Sequence, residues 1–387
     1  MSDPPPASRD AVIYRANREY SAVLLDRLPP DEQAALRSGH PDGDVYGALV
    51  PRAGSDLAVR SLSFETALLF FALLEPGPLP AFAARSIRES GTTVQRLLLD
   101  GVLEVADGDG FVSGPRYLAG RVAAAQAVEP PSQDQSIAAL RYAQALGPLP
   151  EDDLALRLYG YGRRPLSPAL RRRLPDRAAV ASALGADRVG HVMRACGWMG
   201  SEDEHWYHWL APRPNDSRNA DSPQYKLYVS PLPAETREAL DQVVRACGAG
   251  AHVIGFKVAA GLGGFCRPDR VVAYFADFAA LSAFAKELSA DVAGCTGVAV
   301  PFTAPISADG LLSWGADPPR PARGVRSTSW RMWLCRRLAH YLRVARAADT
   351  GALEPWQFAL HRLQVSGIDA TSWTPSPASW TEVLETG

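Results

Sequence analysis

From Gln224 onward the sequence alternates short period-two runs with amphipathic helical stretches, which restricts this half of the chain to an α+β arrangement. Tyr225 to Ser230, His252 to Val258, Val271 to Phe275, Gly297 to Phe302 and Leu311 to Trp314 read as strands. Between them, Pro233 to Cys247 places Leu240, Val243, Val244 and Cys247 on one helical face, with Gly248 available as a C-cap. Asp277 is an N-cap for a helix lined by Leu281, Phe284 and Leu288, and a closing helix carries Trp330, Trp333, Leu334, Leu338 and Leu342. The expected fold class is α+β with an antiparallel or mixed sheet.

The preceding half reads differently. Residues 1–10 suggest a disordered tail, and 11–125 are expected to be mostly helical. Ser63 to Phe71 reads as a compact buried helix. A second helix, Thr92 to Leu99, leads into a hairpin whose turn carries two Asp-Gly pairs, Asp107-Gly108 and Asp109-Gly110. Helices with a terminal β-wing predict a winged-helix-like domain. It lacks a dense basic recognition helix, so docking of a peptide or partner is expected here and nucleic-acid binding is not. Another helical stretch, Ser136 to Gly197, contains the turn-rich segment Leu158-Tyr159-Gly160-Tyr161-Gly162-Arg163-Arg164-Pro165, and a polar loop follows at 213–223.

At 387 residues with net charge −2, nothing global points to nucleic acid or a membrane surface. No apolar run approaches the roughly 20 residues that span a bilayer. The N-terminus has no signal-peptide pattern. Five scattered cysteines without a Cys-x-x-Cys argue against a disulfide framework or a zinc cluster. A reducing cytoplasm is the expected setting.

Of 40 Lys plus Arg, three are lysines: Lys226, Lys257 and Lys286. Arginine cannot serve as a general base, whereas a buried lysine can be tuned downward. In Tyr225-Lys226-Leu227-Tyr228-Val229-Ser230, alternation puts Tyr225, Leu227 and Val229 on one face and Lys226, Tyr228 and Ser230 on the other. A snorkelling lysine beside a core-edge tyrosine is the plain alternative. In Ile254-Gly255-Phe256-Lys257-Val258, Lys257 points away from the apolar set, beside a glycine that leaves space. Were the two strands neighbours, Lys226 and Lys257 would share a face, and each amine would depress the other's pKa.

Gly261-Leu262-Gly263-Gly264 followed by Arg267 and Arg270 suits an oxyanion, although a plain flexible loop explains the glycines equally well. Arg320, Arg323 and Arg326 lie in a Pro-rich loop, and Arg331 sits between two tryptophans. His205 and His208 lack His-Glu-x-x-His spacing and read as structural or loop residues, with substrate contact as the alternative. Walker and Gly-x-Ser-x-Gly motifs are absent.

Tyr-Lys-Leu-Tyr-Val-Ser-Pro from Tyr225, Gly-Phe-Lys-Val from Gly255, Arg-Pro-Asp-Arg from Arg267, Asp-Gly-Leu-Leu-Ser-Trp-Gly-Ala-Asp-Pro-Pro-Arg from Asp309 and Ser-Trp-Arg-Met-Trp from Ser329 together resemble the HopA1-like family. The resemblance spans about 135–345 and leaves 346–387 as a C-terminal extension. It implies similarity to the lyase subunits of class V lanthipeptide synthetases and, more distantly, to phosphothreonine lyases. In such lyases a Lys-x-His strand precedes a Phe-Lys strand. The second lysine takes the α-proton, the histidine protonates the leaving phosphate, and arginines hold that phosphate.

Carried over, the resemblance implies Lys257 as base, Lys226 as the first lysine, and Arg267 or Arg270 with Arg331 as phosphate ligands. Tyr274, His208 and Arg320 are candidate substrate contacts. Tyr228 stands where those lyases have histidine. The acid is then Tyr228, or His208, or the phosphate leaves unprotonated. No metal or organic cofactor is demanded. The implied partners are a phosphorylated precursor peptide and a separate Ser/Thr kinase, and the rival reading is a non-catalytic phosphopeptide- or partner-binding protein.

Overall fold

The structure, a computed structural model, describes residues 12–39, 43–55, 57–83, 93–122, 135–165, 167–212, 225–249, 252–317, 329–348, 351 and 353–375. The tail 1–10, the polar loop 213–223 and Arg320, Arg323 and Arg326 lie outside the described residues.

The first part is less helical than its sequence suggests. Strands β1 (Tyr14–Ala16), β2 (Tyr20–Leu24), β3 (Gly47–Pro51), β4 (Arg60–Leu62), β5 (Leu103–Asp107) and β6 (Gly110–Val112) build two three-stranded antiparallel sheets, β2-β3-β4 and β1-β5-β6. Runs of three to five residues are too short to reveal a period, so the first four strands escape a pattern-based reading. The β5–β6 hairpin forms as expected, after helix α2 (Thr93–Leu99). The hairpin takes β1 as a third strand, and a winged-helix-like arrangement is not established. Helix α1 (Phe64–Ala72) is N-capped by the Ser63 hydroxyl, which accepts from the Thr66 amide at 3.1 Å. It is not wholly buried: Ala67, Leu69 and Phe70 enter the core, while Phe64 and Leu68 stay more than half exposed.

Helices α3 (Gln135–Ala145), α4 (Glu151–Tyr159), α5 (Arg177–Leu184) and α6 (Ala186–Ala195) follow, as their sequences predict. Then come β7 (Met199–Glu202), β8 (Trp206–Leu210), β9 (Tyr225–Val229), helix α7 (Thr236–Gly248), β10 (Gly255–Ala259), β11 (Val271–Phe275), helix α8 (Phe278–Asp291), β12 (Ala304–Pro305) and β13 (Leu312–Ala316). The seven strands form one sheet in the order β12-β13-β9-β11-β10-β8-β7, antiparallel throughout. Asp277 caps α8 as expected, accepting from the Ala280 amide at 2.8 Å. Gly248, by contrast, remains helical, and Ala249 ends α7. Gly297–Phe302 is not a strand: Phe302 turns the chain at φ 62°, a value incompatible with extension. Helices α9 (Trp330–Ala348) and α10 (Pro355–Val365) close the described chain together with a two-residue hairpin.

One face of the sheet is apolar. Leu227, Val229, Phe256, Val258, Val271, Ala273 and Phe275 pack there against α5 to α8. Each fully buried large side chain of this set contributes about 1.5–3 kcal/mol. A second core runs from Ala16 through α3 and α4 to α9 and α10, so the presumed C-terminal extension shares its interior with the first part of the chain. Arg362 of α10 makes that link polar as well, donating to both Asp100 carboxylate oxygens at 2.6 and 2.7 Å.

Candidate active site

Because the sheet's apolar face packs on the helices, Lys226, Tyr228, Lys257, Tyr274 and His208 lie on the other side. Register fixes the arrangement. Lys226 lies opposite Tyr274, Tyr228 opposite Val272, and Lys257 opposite both Val272 and His208. Lys226 and Lys257 therefore share a face, though not as neighbours, since β11 runs between their strands. Gly255 does not leave open space: a Cβ there would stand 2.6 Å from the Trp209 carbonyl oxygen. Its role is to admit the close approach of β8.

Lys257 Nζ lies 4.1 Å from the centroid of the Trp206 ring and 5.8 Å from that of Tyr274. Among the described residues it makes no ion pair. Cation–π contact favours the ammonium form. Burial opposes it, and the nearby Lys226 and Arg267 charges add to the penalty, bringing the amine down to about 8. Part of the Lys257 population is then neutral near physiological pH.

Lys226 is in a different state. It is buried and paired with Asp317, whose other oxygen accepts the Trp330 amide at 2.9 Å and so caps α9. Tyr274 lies between the two amines, its ring centroid 5.4 Å from Lys226 Nζ. Tyr228 is buried, and burial, then the Asp317 charge, hold its phenol well above the ordinary value. A Cβ on Gly315 would come within 3.1 Å of Trp330 and 3.8 Å of the Tyr228 hydroxyl, so glycine there makes room for both rings.

The arginines centre on Asp269, which is 4% exposed. Arg267 donates to both of its oxygens, at 2.8 and 2.7 Å, and Arg331 donates to one at 2.7 Å. Against a large burial cost, these guanidinium groups hold the carboxyl well below the usual carboxylate range. Arg331 also donates to the carbonyls of Pro301 and Tyr159, from Nε and Nη2. Arg270 is fully buried and donates to the carbonyls of Arg267 and Pro231. Arg267 is the member that reaches the surface of the site: it also donates to the Tyr159 hydroxyl at 2.8 Å and lies 5.6 Å from the Trp206 ring centroid. Arg270 and Arg331 are thus built into the walls, and Arg267 is the guanidinium able to meet an anion.

His208 stands beside Lys257 across the β8–β10 register, and its Nε2 lies 2.9 Å from Asp203 Oδ2. Asp203 also accepts the His205 and Trp206 amides at 2.7 and 2.8 Å. Despite the cost of burial, these amides and His208 bring its carboxyl to about 2. His208 is therefore a strand residue with an oriented imidazole at the site. Sequence reasoning missed Trp206, Tyr159, Asp269 and Asp317. The period-two run Trp206-Tyr207-His208-Trp209-Leu210 carries the signal for the first, and Arg267-Pro268-Asp269-Arg270 for the third. A cavity of about 1210 Å³, lined by Ile137, Val300, Ser313, Trp356 and Trp373 among others, adjoins this region without including either lysine.

No family model and no curated protein matches the sequence. Among solved structures, the chain is similar to the effector protein from Pseudomonas syringae pv. tomato strain DC3000, at 13% identity over 62% of this chain and 95% of that one, with a TM-score of 0.43. It is also similar to the effector protein from Pseudomonas syringae pv. syringae strain 61, at 12% identity over 62% and 96%, with a TM-score of 0.36. A third likeness is to VirA (SpvC), a phosphothreonine lyase effector protein of Chromobacterium violaceum, at 11% identity over 31% and 65%, with a TM-score of 0.26. Likenesses this distant leave the chemistry to be argued from the side chains. No helix among the described residues is long and apolar enough to cross a membrane.

Proposed function

We propose that this protein is a phosphoserine/phosphothreonine lyase that removes phosphate by β-elimination. The observation that carries the proposal is Lys257, a partly buried lysine with no carboxylate partner among the described residues, sharing a sheet face with the Asp317-paired Lys226 and near the partly exposed Arg267. Neutral Lys257 Nζ takes the α-proton. The electron pair of that C–H bond becomes the Cα=Cβ bond as the Cβ–O bond breaks, and phosphate departs with the oxygen. Lys226 stabilises the enolate that develops on the substrate carbonyl, and Arg267 receives the phosphate. The product is dehydroalanine from phosphoserine or dehydrobutyrine from phosphothreonine. No step requires a metal or an organic cofactor.

The leaving group needs a proton or a strong clamp. Tyr228 and His208 are the two acids within the set, and His208 is better suited because the buried phenol is a weaker acid than ordinary tyrosine. In the fuller reading, the substrate is a ribosomal precursor peptide, phosphorylated by a separate Ser/Thr kinase in the cytoplasm during lanthipeptide-type biosynthesis. The motif resemblance to lyase subunits of that pathway supports this.

A second reading, a phosphopeptide-binding protein without turnover, is favoured by one observation: Arg331, fully buried, already spends Nε, Nη1 and Nη2 on Pro301, Asp269 and Tyr159. Thiol trapping separates the two. A phosphoserine peptide treated with the protein and then with 2-mercaptoethanol gains the thiol adduct if dehydroalanine has formed. Binding alone leaves the phosphopeptide intact, and that result would replace the lyase with the binding protein.

A further inference from the structure

Helix α1 is apolar on two faces, and among the described residues only one is packed in the core. Its inner face, Ala67, Leu69 and Phe70, is packed in the core. The outer face consists of Phe64, Leu68, Phe71 and, just beyond the helix, Leu74, which are 58%, 57%, 43% and 50% exposed. The spacing of Phe64, Leu68 and Phe71, four and three residues, puts these three on one helical stripe. Tyr46 holds two of the rings in place, edge-on to Phe64 at 5.6 Å and to Phe71 at 5.9 Å between centroids. The stripe exposes roughly 400 Å² of apolar surface, within the range of patches on monomers that mark binding sites.

Charge says what fits. From Ser61 to Ala84 the chain holds two glutamates and no lysine or arginine. Both glutamates, Glu65 and Glu75, are exposed, each next in sequence to an exposed apolar residue, Phe64 and Leu74. Asp44 joins them, accepting the Phe64 amide at 2.9 Å at the start of the helix. Arg60, next in sequence, turns inward and pairs with Asp100 at 3.5 Å. A second copy of this chain would bring the same glutamates face to face across a two-fold axis. An anionic lipid surface would meet the same repulsion. The area is also about half of what one partner contributes to a stable standard-sized interface, which suits a single helical segment laid into a groove.

We propose that this face of α1 docks a basic amphipathic helix of another polypeptide, whose apolar residues cover Phe64, Leu68 and Phe71 and whose Lys or Arg side chains meet Glu65 and Glu75. The proposal is independent of the chemistry on the sheet.

The test uses a fluorescein-labelled 18-residue Leu/Arg amphipathic helix, its Leu/Glu counterpart, and the full-length protein. Fluorescence anisotropy is read for native protein, for Phe64→Ser/Leu68→Ser and for Glu65→Lys/Glu75→Lys. All of these positions are exposed, so each variant should keep its unfolding midpoint, which is checked alongside. Binding of the Leu/Arg helix by native protein, weakened at least tenfold in either variant and at least tenfold for the Leu/Glu helix, is the expected result. Equal binding by all three proteins, or no binding of the Leu/Arg helix by native protein, would overturn the proposal. So would adsorption to phosphatidylglycerol vesicles, or a dimer in sedimentation, that Phe64→Ser/Leu68→Ser abolishes.

Discussion

Lys226 and Lys257 share one face of the sheet although a whole strand separates them, with the Tyr274 ring between the two amines. Asp317 neutralises the first, while the second has no carboxylate partner among the described residues. That asymmetry leaves the first lysine ion-paired and the second, its pKa lowered by burial and by the neighbouring charge, the one able to act as a base near neutral pH.

Lys257→Met should stabilise the protein at pH 7. The folded-state pKa, about 8, lies below the ordinary lysine value of 10.5. The folded protein therefore binds fewer protons than the unfolded chain between those values, and stability rises with pH across that window. The penalty is complete below pH 8 and gone above 10.5. Thermal melts of both proteins from pH 6.5 to 10.5 should show an advantage for the variant that shrinks as pH rises. A pH-independent difference would contradict the assignment.

Removing the second charge should move the base. Lys226→Met takes away the charge that, after burial, lowers Lys257 most, so the Lys257 amine should titrate at higher pH. The pH dependence of Lys257 modification by an amine-selective reagent, followed by peptide mapping, reads this directly. An unchanged or lower midpoint would mean that the two amines do not interact.

The acid can be identified by paired substitutions. His208→Ala should lower kcat for elimination by about 10²–10⁴, and Tyr228→Phe by less than about tenfold. Asp203→Asn should lose part of the His208 effect, because Asp203 holds the imidazole at 2.9 Å. The reverse order of losses would return the acid to Tyr228.

Among the described residues, Asp100 and Asp269 are the two buried carboxylates gripped by paired arginines. Both carboxyls are held below the ordinary range, so their contribution is present above about pH 4 and is lost as pH falls further. Asp100→Ala should cost on the order of 3–5 kcal/mol in denaturant unfolding at pH 7, because buried arginines lose their counter-charge. A loss below about 1 kcal/mol would indicate that solvent screens the pair.

The strands that carry the lysines were legible because one side of each is apolar: Leu227 with Val229, and Phe256 with Val258, declare a period of two. Asp277 and the Trp330 helix were legible for similar local reasons. What escaped was non-local. Nothing in the sequence of Arg270 or Arg331 tells whether their donors face a ligand or a main-chain carbonyl. The order of β9, β11 and β10 is likewise invisible along the chain. Phe64 and Leu68 were read as core because hydrophobicity alone does not say which apolar face finds a partner.

The central claim is that Lys257 is the base of a phosphate elimination. Its most direct test is mass spectrometry of a phosphoserine peptide incubated with native protein and with Lys257→Ala, with phosphopeptide binding measured for both. Loss of phosphoric acid with the native protein, and none with a variant that still binds, is the predicted result. Elimination that survives in Lys257→Ala, or its absence from both proteins while both bind, would contradict the account.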